Sequence, residues 1–482
     1  MTKRITCVVL LFCAATVSSR AQITFSTLAS FYPYGREPQL PPVQGVDGNF
    51  YGVTYAGGLK GAGIVYKITP EGTLDTLYSF CSQTSCADGE FPLDGVIAAA
   101  DGNLYGTTWS GGLNDRGTAF KLTLQGELTS LYSFCSQENC LDGSSPSGLI
   151  QATNGNFYGM TLIGGAHDAG TIFSLTPQGV LTTLYNFCSQ PNCADGYNID
   201  ESVTSLVEGS DGNFYGTNDL GGNQAGICSV YGCGTAFKIT PEGTFTTLYS
   251  FCSKVNCADG AIPYRLIQGS DGYLYGVTGS GGTPYGKGGT FFKLSTNGVL
   301  TTLFSFCEKS GCKDGFEPIG LIQAAGSGNF YGVTFQSSKC RGGCGSVFEI
   351  MPTGAVTLLH TFDGTDGDNP YGLTQATSGT FYGVTSSGGT HGDGTVFSIS
   401  TGLPPFVETL QRLGKVGTRV TILGTNLTGS TAVSFNGTAA TFNIVSATEI
   451  RTTVPASATS GSITVTTPSG ILTSNKPFRV IP

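Results

Sequence analysis

FYGVT at Phe50–Thr54 returns as LYGTT at Leu104–Thr108, FYGMT at Phe157–Thr161, FYGTN at Phe214–Asn218 and LYGVT at Leu274–Thr278, then as FYGVT at Phe330–Thr334 and Phe381–Thr385. The spacings are 54, 53, 57, 60, 56 and 51 residues. Such a period is one supersecondary unit copied, each copy relying on its neighbours to bury an apolar face. Around the phrase each unit offers four short strand candidates. LTTLYNF (Leu181–Phe187) alternates apolar and polar residues as a half-buried strand does. GLIQA (Gly148–Ala152) precedes the phrase, and GTAFKLT (Gly117–Thr123) represents the strand that follows it. Asp47-Gly48-Asn49, Asp101-Gly102-Asn103 and Asp211-Gly212-Asn213 come before the phrase, and Pro70-Glu71-Gly72, Pro177-Gln178-Gly179 and Pro241-Glu242-Gly243 before the LTTLYSF-type strand. These are hairpin turns by composition, with Asp or Pro setting the bend and Gly taking positive φ.

Four strands in each of seven units predict an all-β protein, a seven-bladed β-propeller. A solenoid would need atypical capping repeats, whereas the first and last units here resemble interior ones. Ile23–Phe31 (ITFSTLASF) matches the LTTLYSF strand, and the repeats end at Gly394–Ser400 (GTVFSIS), which matches the strand just before it. The N-terminal strand is therefore expected to pair beside Gly394–Ser400 and close the ring, removing two loose edges. The expected order from the axis outward is GLIQA, FYGVT, GTVFKIT, LTTLYSF. The Asp-Gly-Asn and Pro-x-Gly turns then share one face. The opposite face carries C-x4-C segments with Asp-Gly-x-x-Pro (Asp88–Pro92, Asp142–Pro146, Asp259–Pro263, Asp314–Pro318) and Gly-Gly segments such as Gly57-Gly58 and Gly111-Gly112.

The 482-residue chain has 73 glycines, 39% hydrophobic and only 11% charged residues, a balance that excludes a charge-rich disordered chain. Residues 1–21 read as a secretory signal: Lys3 and Arg4, an apolar stretch over Val8–Val17, and Ser19-Arg20-Ala21 as a cleavage site. That stretch is short of the roughly 20 apolar residues a membrane span requires, and nothing later approaches it. Without the signal the chain keeps 20 basic and 32 acidic residues, a charge of −12. Nucleic acid and anionic lipid, which need a basic footprint, are poor partners. Fourteen cysteines remain, in close pairs: Cys81/Cys86, Cys135/Cys140, Cys188/Cys193, Cys228/Cys233, Cys252/Cys257, Cys307/Cys312 and Cys340/Cys344. Tight pairs in an exported chain imply disulfides. Zinc is the competing reading, and it lacks a histidine near any pair.

The recurring YG-V-T, Gly-Gly and G-T-V-F-K segments resemble the GloVer tandem repeats of bacterial exported proteins with assorted C-terminal anchors. The resemblance covers about residues 23–400 and implies export and a repeat fold, without an activity or catalytic residues. No apolar tail or basic stop follows to match the anchored pattern. The propeller is expected over residues 22–402. Leu403-Pro404-Pro405 marks a linker, and residues 403–482 form a different unit. Thr418–Thr425, Ala432–Phe442, Ile450–Pro455 and Gly461–Pro468 read as strands and turns of a small sandwich. They resemble the immunoglobulin-like IPT/TIG domain in a G-T-x-V-T-I-x-G-x-N-L opening and V-x-F-N-G strand, which implies a spacer or association module.

Chemistry is sparsely written. No nucleophile elbow and no H-E-x-x-H set appears. One Asp-Gly-x-x-Pro aspartate per blade is too dispersed for a carboxylate pair, and Asx-turn chemistry explains it. Asp363, Asp366 and Asp368 (DGTDGD) are denser and make a candidate calcium site, though not at EF-hand spacing. His360 falls inside a strand, whereas His167 and His391 lie in comparable loops after Gly-Gly. The position after the phrase varies: Tyr55, Trp109, Leu162, Asp219, Gly279, Phe335 and Ser386. Variation on a fixed frame is where loops place specificity, and aromatic faces suit sugars or peptides. The expected ligand residues are Tyr55, Trp109, Phe335, His167 and His391, on a secreted or cell-surface, non-enzymatic protein that binds an extracellular glycan or protein without a cofactor. The alternative is a polysaccharide lyase or hydrolase on the same scaffold.

Overall fold

The computed structural model describes residues 22–197, 206–224, 228, 231–283, 288–308, 312–337 and 344–481. The signal segment 1–21 and Cys340 lie outside them. Among the described residues every repeat builds one antiparallel sheet around its phrase, in the order expected. In the third repeat Ser144–Gln151, Phe157–Ile163, Thr171–Leu175 and Leu181–Asn186 lie side by side in that sequence. The last sheet is completed from the other end of the chain. Thr24–Ser30 pairs antiparallel with Thr395–Ser400, with Phe25 opposite Ile399 and Ser30 opposite Thr395.

The phrase explains itself once the register is known. Its glycine faces an aromatic residue of the third strand: Gly52 opposite Tyr66, Gly106 opposite Phe120, Gly159 opposite Phe173 and Gly383 opposite Phe397. The ring lies across the glycine, so a Cβ on Gly106 would meet Phe120 at 2.7 Å. Here glycine supplies space, and the aromatic side chain covers the bare backbone. The phrase tyrosine reaches back to the turn aspartate, with Tyr51 donating to Asp47 at 2.8 Å, Tyr105 to Asp101 at 2.9 Å and Tyr215 to Asp211 at 2.7 Å. The same aspartate accepts from the backbone N–H two residues on, as Asp47 does from Asn49, while Gly48 takes φ of +83°. Turn, strand and packing are thus specified by one short run.

The Asp-Gly-x-x-Pro segments differ from the expected plain loops. In the third, sixth and seventh repeats they extend the first strand, as over Ser144–Gln151, Phe316–Gln323 and Asp368–Gln375. Pro146 and Pro318 pair with Thr161 and Thr334, beside register shifts at Ser147/Leu149 and Ile319/Leu321. Proline fits because the first strand is an edge that needs no further donor there.

Neighbouring sheets are tied by a belt of side chains. The glutamine ending a first strand accepts a backbone N–H from the preceding repeat's turn: Gln151 from Ala100, Gln268 from Ser210, Gln323 from Ser270 and Gln375 from Ala325, at 2.7–2.8 Å. Glu208 does the same for Thr153. Gln44 of the first repeat accepts from Thr377 of the last at 3.0 Å, a link across 333 residues. The second repeat has Ala98 at that position and cannot make the tie.

There the C-terminal unit arrives. Its two four-stranded sheets share a core of Val420, Ile422, Val433, Phe435, Ile450 and Val465. Thr448 donates to Val46 O at 2.9 Å, Gln411 to Ala100 O at 2.8 Å, and the Thr377 and Thr425 hydroxyls are 3.0 Å apart. The unit therefore rests on the Asp-Gly-Asn turn face, away from the cysteines.

Carboxylates at the turns link folding to acid. Asp101, Asp211 and Asp271 are each pushed upward by burial, but hydrogen bonds from Lys121 and Asn103, from Asn213 and Tyr215, and from Lys293 and Tyr275 outweigh it and hold them below the ordinary value of 3.8. Groups with a depressed folded pKa contribute stability that is complete above their unfolded value and lost as pH falls through the folded one. The urea midpoint should stay level from pH 7 to about 5 and fall below about 4. Asp101→Asn should flatten that fall; an unchanged acid limb would remove Asp101 from it.

Candidate functional site

The first strands converge. Gly320 and Gly372, from the sixth and seventh repeats, approach so closely that a Cβ on Gly320 would meet Gly372 Cα at 3.1 Å, and one on Gly372 would meet Pro41 Cδ at 3.4 Å. Where these repeats have glycine, the fifth has Arg265. Its guanidinium crosses to the second repeat, Nη2 lying 3.2 Å from Asp94 Oδ1. Asp94 is 5% exposed, and its other oxygen accepts the Gly148 N–H of the third repeat at 2.6 Å. Three repeats thus meet through one carboxylate. Burial holds the Arg265 pKa below its ordinary value, with Asp94 opposing the shift, yet 28% of the side chain stays in reach of solvent. A removed partner here would strand a charge, which makes the pair costly to break.

Two aromatic groups adjoin this pair along the chain, through Phe91 and Tyr264. Three residues before Asp94, Phe91 stacks on Tyr55 with centroids 5.2 Å apart, and the Trp109 backbone N–H donates to Phe91 O at 3.0 Å. Beside Arg265, Tyr264 joins Phe335 and Tyr371 in one packed cluster, Phe335 meeting Tyr371 edge-on at 5.5 Å. Tyr55, Phe91, Trp109, Tyr264, Phe335 and Tyr371 are all partly exposed. Gly279, the fifth repeat's residue at the variable position, lies against the Tyr264 ring. Of the other variable positions, Tyr55 packs on Phe91, Trp109 meets Phe91 through its backbone, and Phe335 meets Tyr371. Leu162 and Asp219 are buried.

The histidines lie elsewhere. His167 is exposed in a loop whose Ala166 N–H donates to Asn186 of the outer strand at 2.8 Å. His391 is exposed too and packs on Tyr32 at 4.2 Å, just past the outer strand of the last sheet. Neither is brought to the aromatic groups. His360 is structural, stacked on Phe25 at 3.6 Å.

Asp363, Asp366 and Asp368 are turned to separate protein partners. Asp366 Oδ2 bonds His360 Nε2 at 2.8 Å and its Oδ1 accepts the Asp363 N–H at 2.9 Å. Asp363 accepts from Thr365 N–H and hydroxyl at 3.0 and 2.6 Å, and Asp368 accepts the Cys344 N–H. The Thr365 bonds, chiefly, hold Asp363 down at about 2. Asp366 repeats a pattern set by Asp88, which accepts from the Tyr78 hydroxyl and from Ser82 and Gln83 N–H at 2.8, 2.9 and 3.1 Å. Asp142, Asp195 and Asp259 bond Tyr132, Tyr185 and Tyr249 in the same way. DGTDGD, the candidate calcium run, is thus a sixth copy of this loop clamp, with His360 in place of tyrosine.

Six disulfides are formed as paired in the sequence: Cys81–Cys86, Cys135–Cys140, Cys188–Cys193, Cys228–Cys233, Cys252–Cys257 and Cys307–Cys312. Cys344 is also bonded. Arg265 and Asp94 were not among the expected site residues, although an arginine at a glycine position of the repeat was the available signal.

Among the described residues no helix is long and apolar enough to cross a membrane. No curated protein matches the sequence. Among solved structures the chain is similar to streptogramin B lyase, at 14% identity and a TM-score of 0.50, covering 78% of this chain and 97% of that one. It is also similar to the extracellular domain of BT3049 from B. thetaiotaomicron, named as a hybrid two component system, at 13% identity and a TM-score of 0.50. That match covers 93% of this chain and 53% of the other. At such identity the likeness speaks to the fold alone. The model of the Gloeobacter/Verrucomicrobia repeat matches residues 16–228 and 202–443, and the chain belongs to that family.

Proposed function

We propose that the protein is an exported, non-enzymatic binding protein that recognises carbohydrate, or another extracellular polymer, on the face carrying the cysteine loops. The observation that carries this reading is the two groups of partly exposed rings, Tyr55 with Phe91 and Phe335 with Tyr371, on segments next to the Asp94–Arg265 pair where the first strands meet. Flat, partly exposed rings at the mouth of a rigid scaffold suit sugar faces. The charged groups between them are engaged with each other and with Gly148.

The scaffold is a seven-bladed propeller over residues 22–402, closed by the N-terminal strand. The Thr24–Ser30 pairing and the Gln44–Thr377 link support closure. Residues 403–482 are an IPT/TIG-like sandwich acting as a pedestal, a role favoured by its contacts with the turn face. Export through cleavage of residues 1–21 is supported by the six disulfides, which persist in oxidising compartments.

A glycan and polysaccharide array with the processed chain tests the reading. Binding is expected to at least one polymer, and Trp109→Ala should weaken it roughly tenfold, the loss of one aromatic anchor. A signal unchanged by Trp109→Ala removes that ring from the site, and silence across the array removes the carbohydrate reading.

A further inference from the structure

Arg265 has more donors than the fold has acceptors for. A guanidinium offers five N–H groups in a fixed fork. Asp94 Oδ1 takes one, and Asp94 Oδ2 is already given to Gly148. Among the described residues Arg265 Nε is buried without a hydrogen-bond partner, and so is the Ser147 hydroxyl beside Gly148. Buried donors are ordinarily matched, so the convergence is short of acceptors on a guanidinium that solvent still reaches. The aromatic groups adjoin Arg265 and Asp94 along the chain: Tyr264 is next to Arg265, and Phe91 is three residues from Asp94.

We infer that this mouth is a subsite for an anionic sugar, a uronate or a sulfated unit, whose ring lies against the aromatic groups and whose carboxylate or sulfate takes the N–H groups of Arg265 that solvent reaches. The inference rests on the carbohydrate reading above. Arginine suits the task because its planar fork matches a two-oxygen acceptor. Asp94 then has a positioning role: it fixes the guanidinium across the convergence and leaves the rest of the fork to the ligand. The processed chain is strongly acidic, with 20 basic against 32 acidic residues. Long-range attraction therefore does not favour an anionic polymer, and selectivity must come from this local, partly desolvated donor set. Added salt should consequently weaken binding little, since partly buried charges are poorly screened.

The test uses the full processed chain on immobilised polygalacturonate, fully methyl-esterified polygalacturonate, a sulfated galactan and neutral xylan. The acid form or the sulfated polymer should bind about tenfold to a hundredfold more tightly than the ester and xylan, the range of a charge-assisted hydrogen bond. The neutral, near-isosteric double variant Asp94→Asn/Arg265→Gln should lose that preference while keeping residual binding through the rings. Arg265→Lys, which keeps the charge and loses the fork, should retain only part of it. Both variants are compared by melting temperature and near-ultraviolet circular dichroism, so a folding failure is recognised. Equal binding to acid and ester forms, or a preference untouched in the folded double variant, overturns the inference. Binding to neutral polymers alone overturns it and leaves the carbohydrate reading standing; binding to none overturns both.

Discussion

Deleting residues 22–31 should abolish cooperative folding of the repeat region, although those ten residues contain no part of the recurring phrase. The deleted strand is the outer member of the last sheet, and its loss bares the Thr395–Ser400 edge. An exposed edge is a template for association with other chains. Its side chains also sit in two seams. Phe31 is fully buried with Phe50 and Tyr66 of the first repeat, meeting the Tyr66 ring at 5.0 Å. Phe25 stacks on His360 of the sixth repeat and packs against Phe362 and Phe397. One short segment therefore ties the first, sixth and seventh repeats together. Phe31→Ala alone should cost about 3–5 kcal/mol, and losing both rings with the strand pairing should exceed the whole margin of about 5–15 kcal/mol that a domain holds. Differential scanning calorimetry and light scattering of the truncated chain measure it. A truncated chain that melts with the midpoint and enthalpy of the full one would show that the strand is an ornament rather than a closure.

That segment was legible because strand matching needs only the pattern of one repeat. The repeat count, strand order, turns and local cysteine pairs are likewise short-range properties, written again in every copy. What hid was long-range or exceptional. Asp94 and Arg265 are 171 residues apart, and neither belongs to a motif. Their one trace was Arg265 in RLIQG, where Gly148, Gly320 and Gly372 open the equivalent runs. The belt was hidden in the same manner, since its glutamine looks like an ordinary polar residue until neighbouring sheets are set side by side. The kinship of DGTDGD with the other loops was hidden because a shortened loop places its aspartates in an unfamiliar spacing. Aligned on the strand before it, His360 falls where Tyr78 stands, and Asp366 where Asp88 stands. The placement of His167 and His391 was hidden for another reason: their Gly-Gly loops lean over the outer strand, a direction that sequence position does not encode.

The same loop comparison sets the expected result of reduction, which should lower stability by on the order of 10 kcal/mol if the five equivalent bridges act independently. Each closes a sequence separation of five residues, worth about 2 kcal/mol in the chain-entropy account. The backbone inside is unfavourable without the bond. Cys81, Ser85 and Cys86 hold φ of 58°, 55° and 50°, as do Cys135, Asn139 and Cys140 at 59°, 54° and 52°. Left-handed backbone costs a non-glycine residue roughly 1 kcal/mol, so three such residues relax together once the bridge opens. Their relaxation also frees Ser82 and Gln83 N–H from Asp88, a fully buried residue. The seventh repeat is an internal control, because Asp366 clamps its loop through Asp363 N–H and His360 with no bridge. Hydrogen exchange after reduction should therefore rise across 81–90, 135–144, 188–197 and 252–261 and remain unchanged across 361–366. The urea midpoint should fall in step with the number of thiols titrated. If the fully reduced protein kept its midpoint, the carboxylate clamp rather than the disulfide would be what holds these loops; if the bridgeless loop loosened equally, the loss would be global and not local to the bridges.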